Sequence, residues 1–278
     1  MKNYSTKHVS ISNLYGKVEF KLTNDYLFRA VFQTNKVALR GLLCALLRLN
    51  ETDIRTIEIL NPVELGKSIT DKEFRLDIKI MLNDEQIINI ELQVENKGNW
   101  EERSLSYTCR MYDNLNRGAN YKDVTPVMHI GILDFTLFED DPEFFSTYMF
   151  CNIKSHKTYT DSFSIKILDL TRPDLATEDD RAYNLDEWAR LFKATTWEEL
   201  KALSRNNKFM KEVTKSMHIM TEDEILREKM IEREEFYADM RWLKERTAAA
   251  EKRADAAENR ANMAESELAE YKAKFGEL

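Results

Sequence analysis

Two carboxylates and an amide stand out in the segment EFRLDIKIMLNDEQIINIELQVEN, residues 73–96. Asp77 lies on one side of a central turn signal, with Glu91 and Gln93 on the other. If Asp77 and Glu91 face each other across a strand pair, their charges repel. A divalent cation removes that penalty. Magnesium takes one or two carboxylates and completes its shell with waters and phosphate oxygens, and manganese can substitute for it. Such an ion activates water and stabilises charge at phosphorus. Gln93, on the same face as Glu91, could hold the attacking water or a phosphate oxygen by hydrogen bonding.

The element that must position these groups is a β-hairpin. Leu76, Ile78, Ile80 and Leu82 alternate with Arg75, Asp77, Lys79 and Met81; Ile88, Ile90, Leu92 and Val94 alternate with Ile87, Asn89, Glu91 and Gln93. One face is apolar and the other largely polar. A two-residue loop would mix the faces, whereas a three-residue loop, Asn83-Asp84-Glu85, pairs Leu82 with Gln86 and keeps them apart. That register sets Asp77 opposite Glu91 and Arg75 opposite Gln93. A plainer reading exists: charged side chains on the solvent side of a half-buried hairpin are ordinary.

Around the hairpin the chain reads as α/β. Thr23 or Asn24 can cap a helix carrying Leu27, Phe28, Val31 and Phe32, with an interruption at Gln33-Thr34-Asn35 and a second helical run to Asn50. Residues 54–60 read as a short strand, 100–117 as a helix stopped by Gly118, 126–134 as a buried strand, and 144–153 and 163–170 as further strands. Helical spacing dominates from about residue 179. Helix, strand, hairpin, helix, strand is an α/β order. Asp25 stands in the first turn of the first helix, where an acid suits the helix dipole. Arg103, Tyr107 and Arg110 share a helix face at spacings of four and three. With Arg75 they are candidates for steadying a DNA backbone; a solvated helix edge is the alternative.

Bulk properties narrow the classes. The chain has 278 residues, 43% hydrophobic and 32% charged, with a net charge of −8. That charge argues against a protein that simply coats nucleic acid. Residues 222–278 hold 16 acids and 11 bases, leaving −3 for the rest. Cys44, Cys109 and Cys151 are far apart, as expected for reduced thiols in a core. The four histidines lack zinc-ligand spacing. No window of 18 apolar residues and no apolar leader are present, so a cytoplasmic location is expected. From Phe236 a seam through Met240, Leu243, Thr247, Ala250, Ala254, Ala257, Ala261, Ala264, Leu268, Tyr271 and Phe275 alternates threes and fours. That is a coiled-coil pattern, and it would suit a homodimer that cuts both strands of a duplex; a lone charged helix is the alternative.

The segments LTNDYLFRAVF, FRLDIKI and INIELQV, with the helix and its exit at 107–121, resemble the PD-(D/E)XK nuclease family transposases, also described as recombination-promoting nucleases. The resemblance spans roughly residues 20–200 and implies a restriction-endonuclease-like core, a mixed central sheet flanked by helices. On this likeness Asp77 matches the family aspartate, Glu91-Leu92-Gln93 its Glu-x-Lys element, and Asp25 the acidic residue that the wider superfamily often places on its first core helix, a candidate third metal ligand. Leu76 stands where a proline precedes the aspartate. Glutamine replaces the lysine and cannot act as a general acid or base, which leaves water activation to the metal. The implied activity is metal-dependent hydrolysis of DNA phosphodiesters. The other class is a degenerate nuclease fold that recruits a partner through its tail. No strand-transfer carboxylate triad or helix-turn-helix supports transposition. The expected organisation is a core at 1–175, a helical extension at 176–221 and a long helix at 222–278.

Overall fold

The computed structural model describes residues 6, 9–60, 63–64, 74–75, 77–115 and 118–276. Two helices open the fold, α1 (Asp25–Thr34) and α2 (Lys36–Leu47). Their junction is Asn35. Its backbone N–H closes α1 on the Val31 carbonyl, and its side-chain Oδ1 accepts from Val37 and Ala38 to start α2. The two axes differ by 105°. No single helix among the described residues is long and apolar enough to cross a membrane.

Strands β1 (Ile57–Ile59), β2 (Val63–Glu64) and β3 (Phe74–Arg75) precede the hairpin of β4 (Ile78–Leu82) and β5 (Gln86–Gln93). Helix α3 (Trp100–Tyr112) crosses over to β6 (Val127–Leu133), and β7 (Phe145–Met149) and β8 (Phe163–Asp169) complete the sheet. Its six strands run β1-β4-β5-β6-β8-β7. The β5–β6 and β6–β8 pairs are parallel and the other three antiparallel. This mixed sheet between helices agrees with the α/β nuclease-like fold that the resemblance implies.

The hairpin register is the one the alternation dictates. Leu82 pairs with Gln86 and Ile78 with Ile90, so Asp77 falls opposite Glu91, one step beyond the ladder. The Glu85 N–H donates to the Leu82 carbonyl at 3.0 Å, and Asn83 and Asp84 take the positive φ values of 55° and 61° that this tight reversal needs. Two expectations fail. Arg75 does not pair with Gln93; it sits in a separate two-stranded ladder, opposite Val63. Nor is the odd-numbered face solvated. β5 is an interior strand, and α3 covers that face, so Asn89 and Glu91 are buried. Ile87 on the same face packs with Tyr107 and Met111 of α3 and with Val127 and Phe163.

Helix α3 ends at Tyr112, five residues short of the expected 117. The Asn114 side chain explains the early stop: it bonds both the N–H and the carbonyl of Thr125, at 3.1 and 3.0 Å, turning the chain towards β6. At the other end, Gly131 of β6 lets the Trp100 ring lie flush on the strand; a Cβ there would collide with it.

The helices α4 (Glu178–Ala182), α5 (Leu185–Lys193), α6 (Trp197–Ser204) and α7 (Lys208–Thr221) follow. Phe28 and Phe32 of α1 meet Trp188 and Phe192 of α5 in an aromatic cluster with centroids 5.2–6.3 Å apart, worth about 1 kcal/mol per pair beyond area burial. α7 packs on α1 and α2. The last helix, α8 (Glu224–Phe275), has 52 residues. Met1–Met230 form one compact unit and Ile231–Leu278 a second. In the second unit Leu243, Met263, Leu268, Tyr271 and Phe275 are exposed.

Candidate active site

The hairpin and α3 together build a buried acidic pair. Asp77, just before β4, has its side chain 17% exposed. Its Oδ2 accepts from the Leu92 N–H of β5 at 3.0 Å, and its carbonyl accepts from Gln33 Nε2 of α1 at 2.7 Å. Glu91, on β5, is 2% exposed, and its Oε1 accepts from Arg103 Nε of α3 at 2.7 Å. Oε2 of Glu91 is buried and has no hydrogen-bond partner among the described residues.

Electrostatics follow from this burial. Both carboxyls are pushed above the usual carboxylate range, chiefly by loss of water. The Leu92 N–H and Arg29 pull Asp77 back down. Asp77 raises Glu91 further, and Arg103 opposes this. A divalent cation suits such a pair, because it supplies the charge that burial denies and a ligand for the orphaned Oε2. The residues therefore fit an ion held by Asp77 and Glu91. Among the described residues no group of three His, Cys, Asp or Glu side chains gathers to hold a metal, so most of the ion's ligands would be water or phosphate.

The other expected residues divide. Asp25 is buried in the first turn of α1, 3.5 Å from Arg29 Nη2, and its charge raises Asp77. Gln93 ends β5 with its Nε2 donating to the Glu95 carbonyl at 3.2 Å. Arg103 and Tyr107 do share a face, with the guanidinium 4.9 Å from the ring centroid, but that face turns inwards: Tyr107 is buried and Arg103 is committed to Glu91. The alternative of a solvated edge therefore fails at Tyr107, whereas the Arg103 side chain stays 37% exposed. Arg110 is half-buried. The side chain of Arg75 lies outside the described residues.

Two neighbours were not anticipated. Arg29 stands between Asp25 and Asp77, its Nε 4.0 Å from Asp77 Oδ1; its place four residues after Asp25 was the available signal. His129 is fully buried on β6, its Nε2 3.8 Å from Glu91 Oε2. Asn89 Nδ2 lies 3.0 Å from His129 Nδ1. Burial drops the His129 pKa to about 3, so the ring is neutral. Its proximity depends on the parallel β5–β6 register, which pairs Asn89 with His129 and leaves no local trace in the sequence. The cysteines also depart from expectation: all three are free, but Cys109 and Cys151 are exposed rather than in a core.

The family model for PD-(D/E)XK nuclease family transposases matches residues 22–247, most of the chain and all of the acidic pair. The chain belongs to this family. Comparison with curated proteins and with solved structures gave no match. The matched span includes the opposed Asp77 and Glu91, with Gln93 two residues beyond Glu91 on β5.

Proposed function

We propose that this protein is a metal-dependent DNA endonuclease of recombination or mobile elements, with Mg²⁺ held by Asp77 and Glu91. The observation that carries the reading is the buried carboxylate pair with an unpartnered Glu91 Oε2, in a chain that belongs to a nuclease family. When bound, the ion would neutralise the pair, stabilise charge on the phosphate and make a water more acidic. Mn²⁺ has the same preference for oxygen ligands.

The chain's own groups have distinct tasks. The Leu92 N–H fixes the Asp77 carboxylate through Oδ2, leaving Oδ1 to be shared between Arg29 and the ion. Arg103 fixes Glu91 through Oε1 and leaves Oε2 free. Arg103 is thus a positioning residue, whose half-exposed guanidinium can also meet a phosphate oxygen. Gln93 would orient a water after releasing the Glu95 carbonyl, but an amide takes no proton; the proton passes to solvent or phosphate. Asp25 acts through Arg29, tightening the charge balance around Asp77.

The deciding experiment is plasmid nicking with Mg²⁺, Mn²⁺ or EDTA, run beside Asp77→Ala and Glu91→Ala. Metal-dependent cleavage lost in both variants is the expected result. An inert but folded parent protein would favour the second reading, a degenerate nuclease fold that recruits a partner through α8. The Arg103–Glu91 ion pair, which occupies one carboxylate oxygen, is the observation on its side.

A further inference from the structure

We propose that a cleft at the far end of α3 receives an unpaired nucleotide of the DNA strand, an inference that rests on the nuclease reading. The cleft has a volume of about 800 Å³ and lies between the last turn of α3, the start of β8 and the hairpin tip at 150–160. Its walls are rings. Tyr112 and Phe163 meet edge to face at 5.8 Å, and Phe150 lies 5.0 Å from Phe163. Phe150 is 52% exposed and Tyr159 88% exposed. The hairpin that carries both is tied by the Tyr159 N–H to the Phe150 carbonyl at 2.8 Å and by the Asn152 N–H to the Lys157 carbonyl at 2.9 Å. The aromatic surface is therefore held out on ordered backbone.

Charge selects the occupant. No carboxylate lines the cleft. The stretch 144–160 contains no acid, in a chain of net charge −8, and carries Lys154 and Lys157. Both lysines are exposed. Aromatic faces beside lysines without acids suit a base that stacks and a phosphate that pairs. A base inside a duplex cannot offer its face; an unpaired one can.

Position links the cleft to the acidic pair. Helix α3 holds Arg103 at Glu91 and Tyr112 at the cleft. Nine residues of helix separate them, about 14 Å at 1.5 Å per residue. At about 3.4 Å per nucleotide for a strand stacked as in B-form DNA, and about twice that for an extended one, this is roughly two to four nucleotides. A strand cut at Asp77 and Glu91 would so place a nucleotide about two to four positions away in the cleft, and a substrate with an unpaired tail of up to about four nucleotides would use both sites.

The test measures binding apart from cleavage. Fluorescence anisotropy in EDTA compares three probes with the full-length protein: a blunt duplex, the same duplex with a tail of about four nucleotides, and a single-stranded oligothymidine. Tyr159→Ala and Phe150→Ala change exposed rings. Each is expected to weaken the tailed and single-stranded probes about tenfold and the blunt duplex less than about twofold. The tailed probe is also expected to shield Cys109 and Cys151, which line the cleft, from alkylation. Unchanged binding, or equal loss on all three probes, overturns the proposal. So does a protein dimer that Tyr159→Ala dissociates without altering tailed-probe binding, which would assign the cleft to a second copy. Cleavage activity that survives with no cleft dependence sinks the cleft alone. Cleft-dependent binding by a protein that never cuts upholds the cleft and sinks the nuclease chemistry.

Discussion

At the scale of single residues, the acidic pair carries opposite consequences for stability and activity. Burial raises both carboxyls above their unfolded values, so between the two values the folded state holds more protons than the unfolded one. The pair's contribution to the stability of the metal-free protein is then greatest in acid and falls as pH rises through that window, by on the order of 1 kcal/mol per pH unit for each group. Asp77→Asn removes one such group. In EDTA at pH 8 it is expected to melt at a higher temperature than the parent, while Mg²⁺-dependent cleavage drops at least about a hundredfold, since even groups behind a metal ligand cost tenfold or more. A variant that loses both stability and activity would contradict this account of the pair. Arg103 lowers Glu91, so Arg103→Ala shifts the acid limb of the pH–rate profile to higher pH and cuts the rate at pH 7 about tenfold. A rate loss with an unmoved limb would place Arg103 on the DNA instead. Asp77, Glu91 and their register were legible in the sequence, because side-chain alternation and a three-residue loop leave one pairing that keeps the faces apart. His129 and the inward turn of Tyr107 were not, since both depend on contacts between β6, α3 and β5.

At the scale of elements, the site depends on how closely α3 lies on β6. Gly131→Ala forces a methyl into the Trp100 ring at the start of α3. Overpacking of this kind costs about 1–3 kcal/mol, and here it also moves the helix that carries Arg103. Gly41→Ala is the matched control: its Cβ would meet Phe209, which locks α2 to α7 rather than α3 to the sheet. Thermal melts should fall for both, while cleavage measured well below either melting temperature should fall for Gly131→Ala only. Equal cleavage in the two variants would show that α3 does not tune the acidic pair. Local helices were read from spacing because an amphipathic face repeats within a turn or two. The β2–β3 ladder escaped, because Phe74 and Arg75 continue the alternation of β4 and only a non-local partner, Val63–Glu64, separates them.

At the scale of the whole molecule, Met1–Met230 and Ile231–Leu278 are separate units, and the exposed seam of the second invites self-pairing. We propose that two α8 helices pair through it. Ending the chain after Thr247 keeps the family-matched span, 22–247, and removes the alanine part of the seam. Sedimentation is expected to turn from dimer to monomer while the melt of the sheet unit stays within about 2 °C; a dimer that persists would locate self-association elsewhere. The parallel β5–β6 pair also has a meaning during synthesis. β5 leaves the ribosome about forty residues before β6 is complete, which at roughly 5–20 residues per second takes a few seconds. For that interval the nascent chain presents IINIELQ, Glu91 included, with one hydrogen-bonding edge open. The strand that later holds the buried acid is thus a segment that a ribosome-bound chaperone could shield until β6 arrives.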